Sequence, residues 1–316
     1  MRSLALIIIV AVAAGFGFMF IRDTPVPEPT TILAINSVPD VPLVAQAYLL
    51  PLAQPTFGPF RDRTASGSAD PVIDASAAIA VHLESNTILF SKNEHVRLPI
   101  ASLTKILTAL VATELFDMGD MVTVSSASVR VDGIKATLAN NQQIIVRDLI
   151  GMMLVESSND AAYALAQRAK ERGIDFVSAM NITANRIGIG GCHFTDPAGL
   201  DDQAYCSARD LVRLVQAINS QASGLWTILG TSKWPIHDQF GVVTREATTT
   251  NELLYAIPGV LGGKTGNTDG ALGCMMLAVQ LPNNRGRLVT IVLGSRQRFA
   301  DTRALVEWVS HAYQWP

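Results

Sequence analysis

Three short groupings in this 316-residue chain bring together residue types that do acyl-transfer chemistry. Ser102-Leu103-Thr104-Lys105 pairs a hydroxyl with an amine, Ser157-Ser158-Asn159 a hydroxyl with an amide, and Lys264-Thr265-Gly266 an amine with a hydroxyl beside a glycine. Residues i and i+3 share a helix face, so Ser102 at the start of a helix presents its hydroxyl beside the Lys105 amine. A serine is a weak nucleophile until a base takes its proton. A lysine serves as that base only when burial or a neighbouring cation lowers its pKa. Lys264 supplies such a cation, and with the Thr265 hydroxyl it suits a substrate carboxylate. Ser157 is placed to relay a proton toward a leaving group, and Asn159 to hold a substrate amide. A strand carrying residues 264–266 lets a peptide lie alongside as an added strand. Backbone N–H groups of Ser102 and Asn267 are the candidates for an oxyanion hole.

Taken singly, each grouping has a plainer reading. Ser102 caps a helix, Lys105 is solvated, Ser157 and Asn159 cap the helix written NDAAYALAQRA, and Lys264 guards a strand edge against aggregation. Ser91-Lys92-Asn93 even repeats the second spacing, upstream of Ser102. The combination carries the weight, because two of only six lysines fall in the groupings. The stretch GVLGGKTGNT also approaches a phosphate-binding loop but is one residue short. Such a loop needs a helix starting at its Gly-Lys-Thr. Here turn residues and a strand-like run follow Gly266.

The elements that position these residues follow from periodicity. AAIAVHL and TILFS, separated by Glu84-Ser85-Asn86, read as a hairpin. After Pro99, positions Leu103, Ile106, Leu107, Leu110 and Val111 fall at helical spacing. Residues 146–188 read as helix-rich, and Ser207 caps a further helix. GALGCMMLAVQL and GRLVTIVLGS read as two strands joined by residues 282–285, and a last helix covers 301–312. Strands at both ends around helices predict a mixed α/β fold, one sheet assembled from both termini plus a helical insert.

Composition sets the context. Hydrophobic residues make up 49% of the chain, the net charge is −3, and no basic run occurs, which excludes nucleic acid as the main partner. Residues 4–21 carry no charge, and as a helix they cover roughly 27 Å, enough for a transmembrane anchor. Ala11-Val12-Ala13 has the small-x-small form of a cleavage site, but the apolar run continues well beyond it. Residues 1–22 therefore read as an uncleaved membrane anchor, with Arg2 inside and the rest of the chain outside. Residues 23–72 hold nine of the fifteen prolines and read as an extended spacer. Its island VPLVAQAYLLPL is too apolar for an ideal linker. Residues 73–316 form the expected catalytic domain. Cys192, Cys206 and Cys274 lack metal spacing, and the five histidines are scattered, so no metal or cofactor is expected. Cys192 and Cys206 either pair in an oxidising compartment or remain, with Cys274, independent thiols.

From about Ala77 to Ala312 the chain resembles the serine D-alanyl-D-alanine carboxypeptidases, the low-molecular-mass penicillin-binding proteins. The resemblance rests on the three groupings, in the family's order, and on LPIASLTKILTALVA, SSNDAAYALA, DPAGLDDQAYCSARDL, TTTNELLYAIPGVLGGKTGNTDGALGCMM and RFADTRALVEW. It implies a mainly antiparallel sheet flanked by helices, with a helical subdomain and the active site between. It also implies release of the terminal D-alanine from peptidoglycan stem pentapeptides through an acyl-serine, and acylation by β-lactam antibiotics. By position Ser102 is the nucleophile, Lys105 its base, Ser157 and Asn159 the second element, and Lys264, Thr265 and Gly266 the third. Arg298, or more weakly Arg296, matches an arginine that holds the substrate carboxylate. The chain departs from the family in having Ser158 where glycine is common, and Asn267 follows the third motif at a variable position. It ends at Pro316 without the family's frequent β-rich domain and C-terminal anchor, so the N-terminal helix is expected to tether it to the cell membrane, facing the wall.

The same residues serve an endopeptidase or transpeptidase. A class A β-lactamase deacylates with a glutamate in an E-x-x-L-N context, and none follows Asn159. A membrane-tethered, non-catalytic cell-wall or β-lactam sensor is the alternative of another class.

Overall fold

A computed structural model describes residues 69–133 and 138–313. The expected anchor at 1–22, the apolar island and all but the end of the expected linker lie outside these residues. No helix among the described residues is long and apolar enough to cross a membrane.

The chain enters the sheet directly. β1 (Ala77–His82) is buried at every position and turns into β2 (Thr87–Lys92). β3 (Leu98–Pro99) leads through a 3₁₀ turn, Ala101–Leu103, into α1 (Thr104–Leu115). A helical region follows, comprising β4 (Met121–Thr123), α2 (Ser126–Val129), β5 (Gln143–Ile145), α3 (Val146–Val155), α4 (Asn159–Glu171) and α5 (Phe176–Arg186). β6 (Tyr205–Cys206) returns to pair with β3, and α6 (Ala208–Gln221) and α7 (Leu225–Leu229) come next. A two-stranded ribbon, β7 (Lys233–His237) and β8 (Val243–Thr248), precedes β9 (Val260–Thr268), β10 (Leu272–Gln280), β11 (Arg287–Ser295) and α8 (Arg298–Ala312).

The main sheet has the order β2-β1-β11-β10-β9 and every pairing is antiparallel. The first hairpin thus joins the last, as the termini-plus-insert reading predicts. The long apolar runs of β10 and β11 follow from burial on both faces. Met275, Leu277 and Val292 pack with Leu305 and Val309 of α8. Met276 and Ile291 join the cluster that contains Leu107 of α1 and Leu214 of α6. α1 is buried at nine successive positions, Thr104 through Ala112, as expected for a helix apolar nearly all round. It stands between the sheet and the helical region and carries Lys105.

Ser207 caps α6 as expected, accepting from the Asp210 N–H at 3.0 Å. α8 starts at Arg298 rather than at the expected Asp301. The Asp301 carboxylate does not cap the helix; it accepts the N–H groups of Asp74 at 3.1 Å and Ala75 at 2.9 Å and the Ser295 hydroxyl at 2.6 Å. The β7–β8 ribbon has no counterpart in the sequence reading, because Pro235 and its half-exposed positions break the strand pattern. Cys192 and Cys206 form a disulfide, and Cys274 is a buried free thiol.

Asp301 ties the chain entering β1 to the end of β11. Its replacement leaves buried donors unpaired, so Asp301→Ala is expected to lower unfolding free energy by about 2–4 kcal/mol. A fall in the urea midpoint at unchanged m-value checks this.

Candidate active site

Ser102 lies in the 3₁₀ turn entering α1. Ala101 before it adopts φ 47°, a left-handed conformation that costs a non-glycine residue roughly 1–2 kcal/mol. No side chain caps this end of α1. The helix dipole therefore meets the Ser102 hydroxyl uncompensated and favours negative charge developing there.

One turn inside, Lys105 is fully buried. Its Nζ lies 2.8 Å from Ser102 Oγ, 2.8 Å from Asn159 Oδ1 and 2.7 Å from the Ala198 carbonyl oxygen. A neutral amine has two N–H groups and one lone pair. The two carbonyl oxygens only accept, so they take the N–H groups and leave the lone pair for the Ser102 hydroxyl. Burial pushes Lys105 down to about 7, against the Asp196 carboxylate, which pulls the other way.

The second grouping joins α3 to α4. Ser157 adopts φ 65°, and the Ser158 N–H bonds the Met152 carbonyl at 3.2 Å, a left-handed helix ending. Ser158 is the buried N-cap of α4: its hydroxyl accepts from Ala161 N–H at 3.1 Å and donates to Asp160. The extra side chain at this position is thus spent on the helix start. Asn159 bridges Lys105 and the Asp132 carbonyl, the latter at 2.8 Å.

The third grouping lies on β9, an edge strand. Buried Lys264 donates to Ser157 Oγ and to the Thr265 carbonyl, both at 2.8 Å. Burial, then the charges of Lys105 and Arg298, hold it well below the ordinary lysine range. The Thr265 hydroxyl meets that of Thr250 at 2.6 Å. A Cβ on Gly266 would sit 3.1 Å from Ala101 Cβ, Ile100 O and Ser102 N. Glycine is what lets β9 pass this close to the turn that bears Ser102. Asn267 sits opposite Gly273, with Arg298 Nη1 3.5 Å from its side-chain oxygen. Arg298 Nε has no hydrogen-bond partner among the described residues. Arg296 instead pairs with Asp74 at 2.5 Å on the surface, so Arg298 is the arginine that faces β9.

Sequence reasoning named no role for Asp196. Its carboxylate accepts four successive backbone N–H groups, from Ala198 at 2.6 Å, Gly199 at 2.7 Å, and Leu200 and Asp201 at 2.9 Å. That folds the loop which aims the Ala198 carbonyl at Lys105. The Thr108 hydroxyl holds the same loop through the Pro197 carbonyl at 2.6 Å. Gly199, at φ 73°, would place a Cβ 2.0 Å from the Ala101 carbonyl oxygen. The disulfide closes this loop at its two ends. An Asp-Pro pair with Gly two residues beyond the proline is a turn signal with a side-chain mechanism, and that was the available clue.

Were Ser102 the nucleophile and Lys105 its base, two outcomes would be expected for acylation by benzylpenicillin, read by intact mass. The rate is expected to rise about tenfold per pH unit below a pH of about 7 and level off above it, because only neutral Lys105 takes the proton. Asp196→Ala is expected to slow acylation roughly 100-fold through misplacement of Lys105.

The family model for D-alanyl-D-alanine carboxypeptidase, Peptidase_S11, matches residues 64–297. The chain is 26% identical over 274 residues to D-alanyl-D-alanine carboxypeptidase DacF of Bacillus subtilis, covering 82% of this chain and 68% of that protein. It is 24% identical over 261 residues to D-alanyl-D-alanine endopeptidase of Escherichia coli, covering 78% and 80%. Among solved structures, ampicillin-bound penicillin-binding protein D2 of Listeria monocytogenes aligns with a TM-score of 0.67 at 28% identity, covering 77% of this chain and 99% of that one. With half-buried Ser102 held against buried Lys105 between sheet and helices, the chain belongs to the Peptidase_S11 family of D-alanyl-D-alanine carboxypeptidases.

Proposed function

We propose that this protein is a serine D,D-carboxypeptidase that removes the terminal D-alanine from peptidoglycan stem pentapeptides. The observation that carries the reading is the Lys105 amine, fixed by two carbonyl oxygens and 2.8 Å from Ser102 Oγ. Neutral Lys105 takes the Ser102 proton as Oγ attacks the penultimate D-alanine carbonyl. The Ser102 and Asn267 N–H groups receive the oxyanion. As the C–N bond breaks, Lys105 returns that proton to the departing D-alanine nitrogen through Ser157, which Lys264 holds. Thr265 and Arg298 take the substrate carboxylate. Water then attacks the acyl-serine, with Lys105 again accepting a proton.

β-Lactams acylate the same serine in this reading, and the adduct persists. The nearby carboxylates are committed elsewhere: Glu156 pairs with Arg245 at 2.6 Å, and Asp196 holds four amides. The disulfide supports an oxidising, extracytoplasmic compartment, consistent with residues 1–22 as a membrane anchor and the domain facing the wall. Similarity to an endopeptidase favours a second reading, hydrolysis of cross-linked peptides by the same residues.

Benzylpenicillin is expected to leave a lasting adduct on the wild type and none on Ser102→Ala, read by mass. Clearance in seconds points to a β-lactamase instead. D-Alanine release from an acyl-D-alanyl-D-alanine peptide is expected to vanish in Ser102→Ala, whereas release only from cross-linked dimers supports the endopeptidase. Arg298→Ala is expected to raise KM for the peptide by about tenfold or more, and by far less for its C-terminal amide.

A further inference from the structure

We infer that a groove at the tip of the β7–β8 ribbon binds an N-acetylated amino-sugar chain, the polymer that carries the stem peptide; this rests on the peptidase reading above. The groove encloses about 380 Å³ between the connection preceding β5 and the ribbon's turn. Asn141, Gln142 and Gln143 line one side, Asp238, Gln239 and Phe240 the other. With Thr244 the lining numbers seven residues, and four of them carry side-chain amides, which donate and accept at once, as a ligand rich in hydroxyl and acetamido groups requires. Phe240 supplies an apolar platform for a sugar-ring face. It is 81% exposed, and Val242 and Val243 beside it are 59% and 52% exposed.

The platform is rigidly presented. The Asp238 carboxylate accepts the Phe240 and Val242 N–H groups, both at 2.9 Å, and so fixes the turn. Behind it, the His237 N–H and ring Nδ1 both meet buried Asp148 at 2.8 Å. Arg245 pairs with Glu156, which immediately precedes Ser157. The ribbon is therefore an arm fastened beside the catalytic cleft.

Its length fits the substrate. β8 runs from Val243 to Thr248, roughly 20 Å at strand rise, and ends two residues before Thr250, the partner of Thr265. An extended pentapeptide spans about 17 Å. β8 alone is thus of the same order of length as a stem peptide whose carboxylate sits at Thr265. Among the described residues no cation lines the groove and Asp238 is acidic, which disfavours phosphates and anionic bilayers.

The test uses the full chain and chitotetraose, a tetramer of N-acetylglucosamine, followed by titration calorimetry. Chitotetraose is expected to bind the wild type, with Phe240→Ala and Gln143→Ala each weakening binding about fivefold or more. Both residues are exposed, so the fold is kept. The same variants are expected to lower kcat/KM for D-alanine release from pentapeptide-bearing glycan strands and leave release from free pentapeptide unchanged. No sugar binding, or an equal loss on both substrates, overturns the inference. So does Phe240-dependent binding to phosphatidylglycerol–phosphatidylethanolamine vesicles without sugar binding, which assigns the tip to the bilayer. Phe240-dependent sugar binding with no D-alanine release from either substrate keeps this inference and rejects the peptidase reading.

Discussion

Everything in the site depends on one buried amine having two carbonyl acceptors and one hydroxyl. A lysine ammonium in a dry interior is costly, and a neutral one is useful only if its lone pair is aimed. The Ala198 and Asn159 oxygens do the aiming. They come from the loop after α5 and from the first residue of α4, whereas Lys105 and Ser102 belong to the turn and helix of α1. The fold brings three distant segments to one nitrogen. The surrounding architecture, with α1 buried between sheet and helices, is what keeps water from replacing any of them.

Close approach is the second constraint, and backbone conformation meets it. Ala101 and Ser157 hold left-handed conformations without being glycine. Gly199 stands where a side chain would collide with the turn that bears Ser102, and Gly266 where one would press tightly against it. Strain of this kind persists only where the surroundings over-determine it. Here the surroundings are the Asp196 amide cage, the disulfide across its loop, and β9 itself.

The sheet and the chemical groupings were legible because they are local signals. The apolar runs of β10 and β11 announce two-sided burial, and Ser102 and Lys105 are one helical turn apart in the sequence. What escaped depends on contacts between distant residues. Asp196 acts through a carbonyl two residues away on a lysine 93 positions removed from Ala198. The choice between Arg298 and Arg296 turns on Asp74, at the opposite end of the chain. Pairing of Cys192 with Cys206 required knowing that β6 returns beside the 196–201 loop. The ribbon was hidden because Pro235 and exposed positions suppress the strand pattern, although packing on α3 supplies what propensity does not.

The proposed carboxypeptidase reading also explains why two buried lysines share the cleft. Burial disfavours charge on both amines, and the charges of Lys105 and Arg298 disfavour it further on Lys264. A substrate carboxylate arriving at Thr265 and Arg298 adds the missing anion close to Lys264. It favours a proton there, and through mutual repulsion it favours a neutral Lys105. Recognition of the free C-terminus and activation of Ser102 are then one electrostatic event. A peptide without that carboxylate loses this added bias toward neutral Lys105 as well as the contact, so the specificity appears in the rate of acylation and not in binding alone.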